Sequence, residues 1–302
     1  MKETERVNLK YPNLDLMPTD LLAQAFIEDQ QQAVWAAQLA SKDIARAVEL
    51  AHSRMISGGR LIYAGAGTSG RLSMLDAVEL HPTFSWPADR SIFLVAGGDM
   101  ALKLAVEGAE DDVETAKNDL LALDPTAHDV VIAVAASGST PYCVSILQTA
   151  RELGCLCICI VNNQPSAMLD FADVPIVLDT GPEVIAGSTR LKAGTAQKIA
   201  LNTFSSSLMI RLNKVFGNLM VDMHITNQKL QKRAISIIRQ ITGVDEILAL
   251  EHLNNSGQKI KSAVVSILCN ISISEAEKQL QHYRGNVRSV VDALPRIPQI
   301  HS

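Results

Sequence analysis

Two short segments rich in glycine and hydroxyl residues each follow an apolar run and precede a helical pattern. The first is Gly-Ala-Gly-Thr-Ser-Gly at 65–70, and the second is Ala-Ser-Gly-Ser-Thr at 136–140. Glycine lets a ligand approach the backbone closely, and the first N–H groups of a helix attract an anion. Together the segments favour a phosphate-binding site without a metal. Its predicted ligands are Gly67, Thr68, Ser69, Ser137, Gly138, Ser139 and Thr140.

Other uses of these segments stay open at this point. Gly65, Gly67 and Gly70 also match the Gly-x-Gly-x-x-Gly spacing of dinucleotide-binding turns. Such a site expects a carboxylate at the end of the second strand, and Asp99 lies about ten residues too far along the chain for that role. A Walker A loop is excluded because no Gly-Lys-Ser/Thr follows. Each segment alone is also compatible with an ordinary cap or tight turn.

The elements that would position these segments are short apolar strands alternating with helical patterns. This alternation predicts an α/β fold, with a doubly wound parallel sheet covered by helices on both faces. Loops at the carboxyl ends of neighbouring parallel strands then face one crevice. Strands are expected at 60–65, 91–97, 129–137, 155–161 and 174–179.

Helical patterns extend on both sides of the sheet. The pattern at 19–57 is expected to break near Ser41, helical stretches are expected at 99–123, and a long helix is expected at 192–214. Three domains are predicted: an N-terminal arm with a helical extension at 1–57, the phosphate-binding sheet domain at 58–223, and a small helical bundle at 224–302.

Composition excludes several classes of function. The 302 residues carry 27 Lys plus Arg against 32 Asp plus Glu, a net charge of −5, and only 4% are aromatic. A mildly acidic chain poor in aromatics does not suit nucleic acid or an anionic membrane surface as its main partner. No apolar run reaches 18 residues and the start of the sequence is polar, so no membrane span is predicted and a cytoplasmic location is expected.

Cysteines and histidines give no metal-binding spacing. Cys155, Cys157 and Cys159 alternate as residues on one face of a strand do, which favours packing in the core over a zinc site. His81 and His224, like the remaining histidines, are scattered, and a structural or surface role is expected for them.

Longer stretches of the chain resemble the sugar isomerase (SIS) family of phosphosugar-binding domains, and within it the etherases of N-acetylmuramic acid 6-phosphate. The likeness covers nearly the whole chain. Gly-Ser-Thr-Arg-Leu-Lys-Ala-Gly-Thr-Ala-Gln-Lys at 187–198 is its most specific part. The matching stretches are 4–16, 59–84, 96–112, 135–142, 187–202 and 214–223.

The resemblance implies a carbon–oxygen lyase that serves cell-wall amino-sugar recycling. Such an enzyme cleaves the lactyl ether of its phosphosugar by elimination and then hydration, giving N-acetylglucosamine 6-phosphate and D-lactate. No metal or organic cofactor is implied. A homodimer is implied, in which the two subunits together complete the site.

The resemblance also implies two catalytic carboxylates. Glu79 is the implied proton donor and Glu110 the second carboxylate, and positioned acid–base groups typically contribute about 10²–10⁴ in rate. Glu79 stands between Val78 and Leu80, so partial burial is expected for it. Glu107 is the rival of Glu110, because both belong to the same Glu-Gly-Ala-Glu run.

Three further charged residues are candidates for the site. Arg71 and Lys192 could each pair with an anion, either the phosphate or the lactyl carboxylate of the substrate. The alternatives are a cation on a helix surface for Arg71 and an interface contact for Lys192. Glu183 is a candidate because related sugar isomerases place a catalytic glutamate after their last strand.

Two other classes of function stay open. A phosphosugar isomerase would remove the same proton from carbon 2 but return it to carbon 1. A non-catalytic sugar-phosphate sensor, similar to the glucokinase regulatory protein, would carry two such domains, whereas one is expected here.

Overall fold

A five-stranded parallel sheet forms the centre of the fold. In the computed structural model, which describes residues 2–294, the strand order is β2-β1-β3-β4-β5. Every residue of β1, β3 and β4 is buried, as in parallel strands covered on both faces. The predicted doubly wound α/β fold is confirmed. The strands are β1 Leu61–Gly65, β2 Ser91–Val95, β3 Val130–Ala135, β4 Leu156–Val161 and β5 Val174–Val177.

The direction of strand succession reverses between β1 and β3. The chain runs from β1 outwards to β2 on one side and then returns to β3 on the other side of β1. In open α/β sheets a ligand crevice lies outside the carboxyl ends of the strands at such a point. Gly65 at the end of β1 pairs with Val134 in β3, so the two glycine- and hydroxyl-rich segments leave the sheet side by side.

Helices precede the sheet and separate its strands. The predicted break near Ser41 is confirmed, because α3 begins there, and a second break falls at Gln30. The helices are α1 Thr19–Asp29, α2 Gln31–Leu39, α3 Ser41–Ile56, α4 Gly67–Phe84, α5 Val113–Leu121, α6 Pro141–Glu152 and α7 Lys192–Arg211.

Two predicted helical stretches are shorter in the structure. The segment 99–123 is α-helical only in α5, because glycines at positive φ (Gly97, Gly98 and Gly108) divide its start into 3-10 turns. Helix α7 ends at Arg211 rather than at 214, since Asn213 has φ +62°. An unpredicted hairpin follows, formed by β6 Val215–Phe216 and β7 Leu219–Met220.

Contacts divide the described chain into two compact units, of which the first comprises residues 2–78 and 88–208. Its core joins β1, β3 and β4 to α6, for example through Ile146 and Val131. Cys157 and Cys159 are fully buried in this core, and burial raises the pKa of each thiol to about 12. Core packing of these cysteines is confirmed.

The second unit comprises residues 79–87 and, of the described chain, residues 209–294. Its apolar core includes Ile238, Leu253 and Val264. His81 and His224 belong to this unit and are exposed, in keeping with the surface role expected of them. Its helices are α8 Gln228–Thr242, α9 Glu246–Asn255, α10 Ile260–Cys269, α11 Ile273–His282 and α12 Val287–Ala293.

The predicted three-domain division at 58 and 224 stays a prediction. Residue 1 of the first predicted domain and residues 295–302 of the last one lie outside the described residues. Between residues 2 and 294, no helix is both long enough and apolar enough to span a membrane.

Candidate active site

A cavity of about 390 Å³ is lined by both glycine- and hydroxyl-rich segments, which follow β1 and β3. Every predicted phosphate ligand except Gly138 belongs to the cavity wall. Three carboxylates, Glu5, Glu110 and Asp111, and the ammonium-bearing Lys2 complete its charged lining. The cavity therefore combines hydroxyl donors and helix starts with groups that can exchange protons.

The first loop depends on a close approach between the end of β1 and the start of α4. A Cβ on Gly65 would lie 2.7 Å from the backbone nitrogen of Gly70, and a Cβ on Gly70 would lie 2.7 Å from the carbonyl oxygen of Gly65. Only glycine fits at either position. Helix α4 begins at Gly67 with no acidic residue in its first turn, so its first N–H groups stay available to an anion beside Thr68 and Ser69.

The second loop directs three hydroxyl groups to the cavity. The N–H of Ser139 donates to Ser137 Oγ over 3.1 Å, and the hydroxyls of Ser137 and Thr140 lie 3.3 Å apart. Gly138 has φ +63°, and its carbonyl accepts a hydrogen bond of 2.9 Å from the N–H of Met168. Gly138 thus belongs to the turn but not to the cavity wall, whereas the hydroxyl residues on either side of it line the cavity.

Glu110 is the implied catalytic residue that the structure brings to this cavity. It lies in a short 3-10 turn and also lines an adjoining cavity of about 360 Å³. The two cavities share Ala66 and Gly67, so Glu110 lies where they meet. Glu107 lines only the adjoining cavity, which favours Glu110 as the carboxylate that faces the two hydroxyl-bearing loops.

Arg71 lines the adjoining cavity and not the one that holds the hydroxyl loops. It is half-buried, and its guanidinium donates to the carbonyl oxygen of Leu104 over 3.2 Å. Ala101 and Val106 supply apolar surface nearby in the same wall. A carboxylate that carries a small apolar substituent would match this lining.

Glu79 is not among the residues that line either cavity. It follows Gly67 by 12 residues in α4. Its side chain is exposed, so the partial burial expected from Val78 and Leu80 is wrong. Val78 is itself exposed, and only Leu80 is buried.

Glu183 caps a helix, and the structure does not bring it to either cavity. It is fully buried, and its two carboxylate oxygens accept hydrogen bonds from the backbone N–H groups of Lys192 (3.1 Å) and Ala193 (2.9 Å) at the start of α7. Burial raises the pKa of Glu183 even though these two donors favour its charged form. These two hydrogen bonds give Glu183 a structural role, because they stabilise the start of α7.

Lys192 is committed to a buried ion pair and also lies outside both cavities. Its Nζ lies 2.9 Å from Asp29 Oδ1, with side-chain exposures of 3% for Lys192 and 7% for Asp29. The structure therefore does not bring Lys192 to the substrate anion expected from the sequence.

Sequence reasoning did not identify the N-terminal contribution to the cavity. Lys2, Thr4 and Glu5 line it, although the N-terminal arm was not expected to belong to the site. The signal available was the resemblance at 4–16, which has no periodicity of its own. Gln197, from the most specific stretch, also supports the site, because Ser69 Oγ donates to its Oε1 over 2.9 Å.

Comparison with known proteins identifies the class to which this fold and site belong. The family model for the glucokinase regulatory protein N-terminal SIS domain matches residues 43–151, and the SIS domain model matches residues 106–207. A phosphoheptose isomerase from Francisella tularensis shares the fold, with a TM-score of 0.50 and 17% sequence identity over 64% of this chain and 98% of that one. The sheet domain is of the SIS class.

Full-length relatives narrow this class. N-acetylmuramic acid 6-phosphate etherase from Deinococcus radiodurans is 47% identical over 290 residues, which cover 96% of this chain and 95% of the relative. The etherase from Geobacillus thermodenitrificans is 44% identical over 289 residues, with 96% and 98% covered. The chain belongs to the N-acetylmuramic acid 6-phosphate etherase family.

Proposed function

We propose that this protein cleaves the lactyl ether of N-acetylmuramic acid 6-phosphate, giving N-acetylglucosamine 6-phosphate and D-lactate. The observation that carries the proposal is the position of Glu110 in the wall of the cavity lined by both hydroxyl-bearing loops. The phosphate is held by those loops, and Glu110 acts on the sugar beside them. As a carbon–oxygen lyase the protein would serve the recycling of cell-wall amino sugars.

The chemistry needs one base and one acid. In the open-chain sugar, Glu110 removes the proton from carbon 2, which is acidic because it lies beside the aldehyde. The electron pair of that C–H bond forms the carbon 2–carbon 3 double bond, and the ether oxygen on carbon 3 leaves with a proton from Glu79. Water then adds its oxygen to carbon 3 and gives a proton to Glu79, while Glu110 returns its proton to carbon 2, which restores both carboxyl groups.

The proposal includes a homodimer, and the exposed side chain of Glu79 is available to a second copy of the chain. A second copy would bring its Glu79 to the Glu110 of the first. Exposed apolar residues on the N-terminal helices support such an interface: Ile27 (70%), Trp35 (58%) and Leu39 (80%) are open to solvent in the single chain. Helix α7 is a further proposed interface element.

Arg71 is proposed to bind the lactyl carboxylate rather than the phosphate. This assignment is supported by its place in the adjoining cavity, which meets the phosphate cavity at Glu110. The substrate would then extend across Glu110, with its phosphate in one cavity and its lactyl group in the other. A cytoplasmic location is proposed as well, since none of the five cysteines forms a disulfide, as expected in a reducing compartment.

The test is to incubate the purified protein with N-acetylmuramic acid 6-phosphate in heavy-oxygen water. We expect lactate release, with the label entering the sugar at carbon 3. Label in the lactate would mean that water attacks the other side of the ether and would contradict the elimination. Binding of N-acetylglucosamine 6-phosphate without any lactate release would instead favour an isomerase or a sensor.

A further inference from the structure

The N-terminal segment Lys2–Glu5 forms part of the wall of the phosphosugar cavity. Lys2, Thr4 and Glu5 each line it, and Thr4 is only 1% exposed. The segment is held by Asn163, which follows β4, and by Gly187, whose N–H donates to the carbonyl oxygen of Thr4 over 3.1 Å. The contact between Thr4 and Asn163 joins residues 159 positions apart in the chain, so the fold brings this segment to the site.

Two backbone groups fix the orientation of the Asn163 amide, which then donates to the side chain of Thr4. The N–H of Thr4 can only donate, and it meets Asn163 Oδ1 at 3.2 Å. The carbonyl oxygen of Ala136 can only accept, and it meets Asn163 Nδ2 at 2.7 Å. These two backbone groups leave one orientation for the amide, whose second N–H then donates to Thr4 Oγ1 over 2.9 Å.

This arrangement leaves the hydroxyl proton of Thr4 unused. A threonine hydroxyl has one proton to donate and two lone pairs to accept with. One lone pair accepts from Asn163, and among the bonds of the described residues the hydroxyl donates none. Because Thr4 lines the cavity and is almost wholly buried, its unused donor matches an acceptor bound in that cavity.

The charges of the cavity indicate which acceptor this is. Glu5, Glu110 and Asp111 are negative, and Lys2 is the one Lys or Arg among the described residues of the wall. A phosphate dianion would be repelled by three carboxylates, and the two helix starts each offer only about half a positive charge. An additional cation and an additional hydroxyl donor at the wall therefore suit the phosphate.

We infer that Thr4 and Lys2 bind the phosphate of the substrate, as a third part of the site beside the two hydroxyl-bearing loops. Thr4 donates its free hydroxyl proton, and Lys2 supplies the positive charge. The inference rests on the proposed function for the identity of the phosphosugar. Its test uses binding rather than turnover, so failure of the etherase reaction and failure of this assignment are distinguishable.

The experiment is titration calorimetry of N-acetylglucosamine 6-phosphate with the full chain and two matched pairs of variants. Thr4→Val removes the hydroxyl at almost equal volume, and Thr4→Ser retains it. Lys2→Met removes the ammonium inside the cavity, and Lys10→Met removes one from an exposed pair with Glu28. We expect about tenfold weaker binding for Thr4→Val and for Lys2→Met. Thr4→Ser and Lys10→Met should bind as the unaltered chain does.

A structural role alone would lower the melting temperature of Thr4→Val without this pattern. Lys2 serves as the independent check, because it takes no part in the hydrogen bonds between Thr4 and Asn163. If Thr4→Val binds within twofold of Thr4→Ser, or Lys2→Met within twofold of Lys10→Met, the assignment of that residue is overturned. Absence of lactate release by the unaltered chain, with these affinity differences intact, would reject the reaction and retain the phosphate contacts.

Discussion

Lys192 and Asp29 form an ion pair in the interior of the first unit, with Nζ 2.9 Å from Oδ1. The pair joins the first residue of α7 to the last residue of α1. It therefore ties the N-terminal helices to the helix that follows the 181–190 loop. One oxygen of the carboxylate, Asp29 Oδ2, is buried without a hydrogen-bond partner, so the pairing with Lys192 is its main compensation.

We predict that Lys192→Met lowers the free energy of unfolding by about 3 kcal/mol or more, because it leaves a buried carboxylate unpaired. Affinity for N-acetylglucosamine 6-phosphate should stay within twofold. Denaturant unfolding of Lys192→Met, Asp29→Asn and the double variant gives the coupling energy between the two residues. The double variant should be more stable than Lys192→Met alone. Weakened binding in a fully stable Lys192→Met variant would instead mean that Lys192 contacts the substrate.

Glu183 gives a second test of fold against chemistry. Glu183→Gln replaces one acceptor with an NH₂ group that faces a backbone N–H at the start of α7. One backbone N–H at the start of α7 would then lose its hydrogen-bond acceptor, which should cost about 1–3 kcal/mol of stability. We expect a lower melting temperature and a kcat that changes less than that of Glu110→Gln. A large loss of kcat at unchanged melting temperature would contradict the capping role.

The two hydroxyl-bearing loops were predictable from sequence because they depend on local rules. Glycine and hydroxyl residues directly after two apolar strands place hydroxyls at one edge of any parallel sheet, and the order around β1 and β3 brings them together. The position of Glu110 depends on irregular backbone. The turns at 98–111 have no periodicity, so only the family resemblance indicated this residue.

Contacts between residues far apart in the chain were beyond the reach of local patterns. Asp29 is 163 positions from Lys192, and no rule of composition or spacing pairs them. The same holds for Thr4 and Asn163. The sequence therefore suggested that Lys192 and Glu183 contact a ligand. In the tertiary structure both residues instead hold α7 in place.

Glu110→Gln should stop ether cleavage without loss of substrate binding. The amide has nearly the size of the carboxylate but cannot remove the proton from carbon 2. We predict a fall in kcat by about 10²–10⁴. Affinity for N-acetylglucosamine 6-phosphate should change little, since the hydroxyl loops remain intact. Lactate release measures the first quantity and calorimetry the second, and Glu107→Gln is the matched control from the adjoining cavity. Comparable losses in the two variants would reject the choice of Glu110 over Glu107.

Glu79 and Glu110 provide a direct test of a site shared between subunits. Glu79→Gln and Glu110→Gln should each be inactive as pure proteins. If a site takes Glu79 from one subunit and Glu110 from its partner, a mixed dimer of the two variants contains one intact site. Unfolding and refolding an equal mixture yields mixed dimers as about half of the population, so about a quarter of the unaltered activity should return. A mixture that stays inactive after verified subunit exchange would mean that both glutamates act within one chain, and the proposed arrangement of the dimer would be wrong.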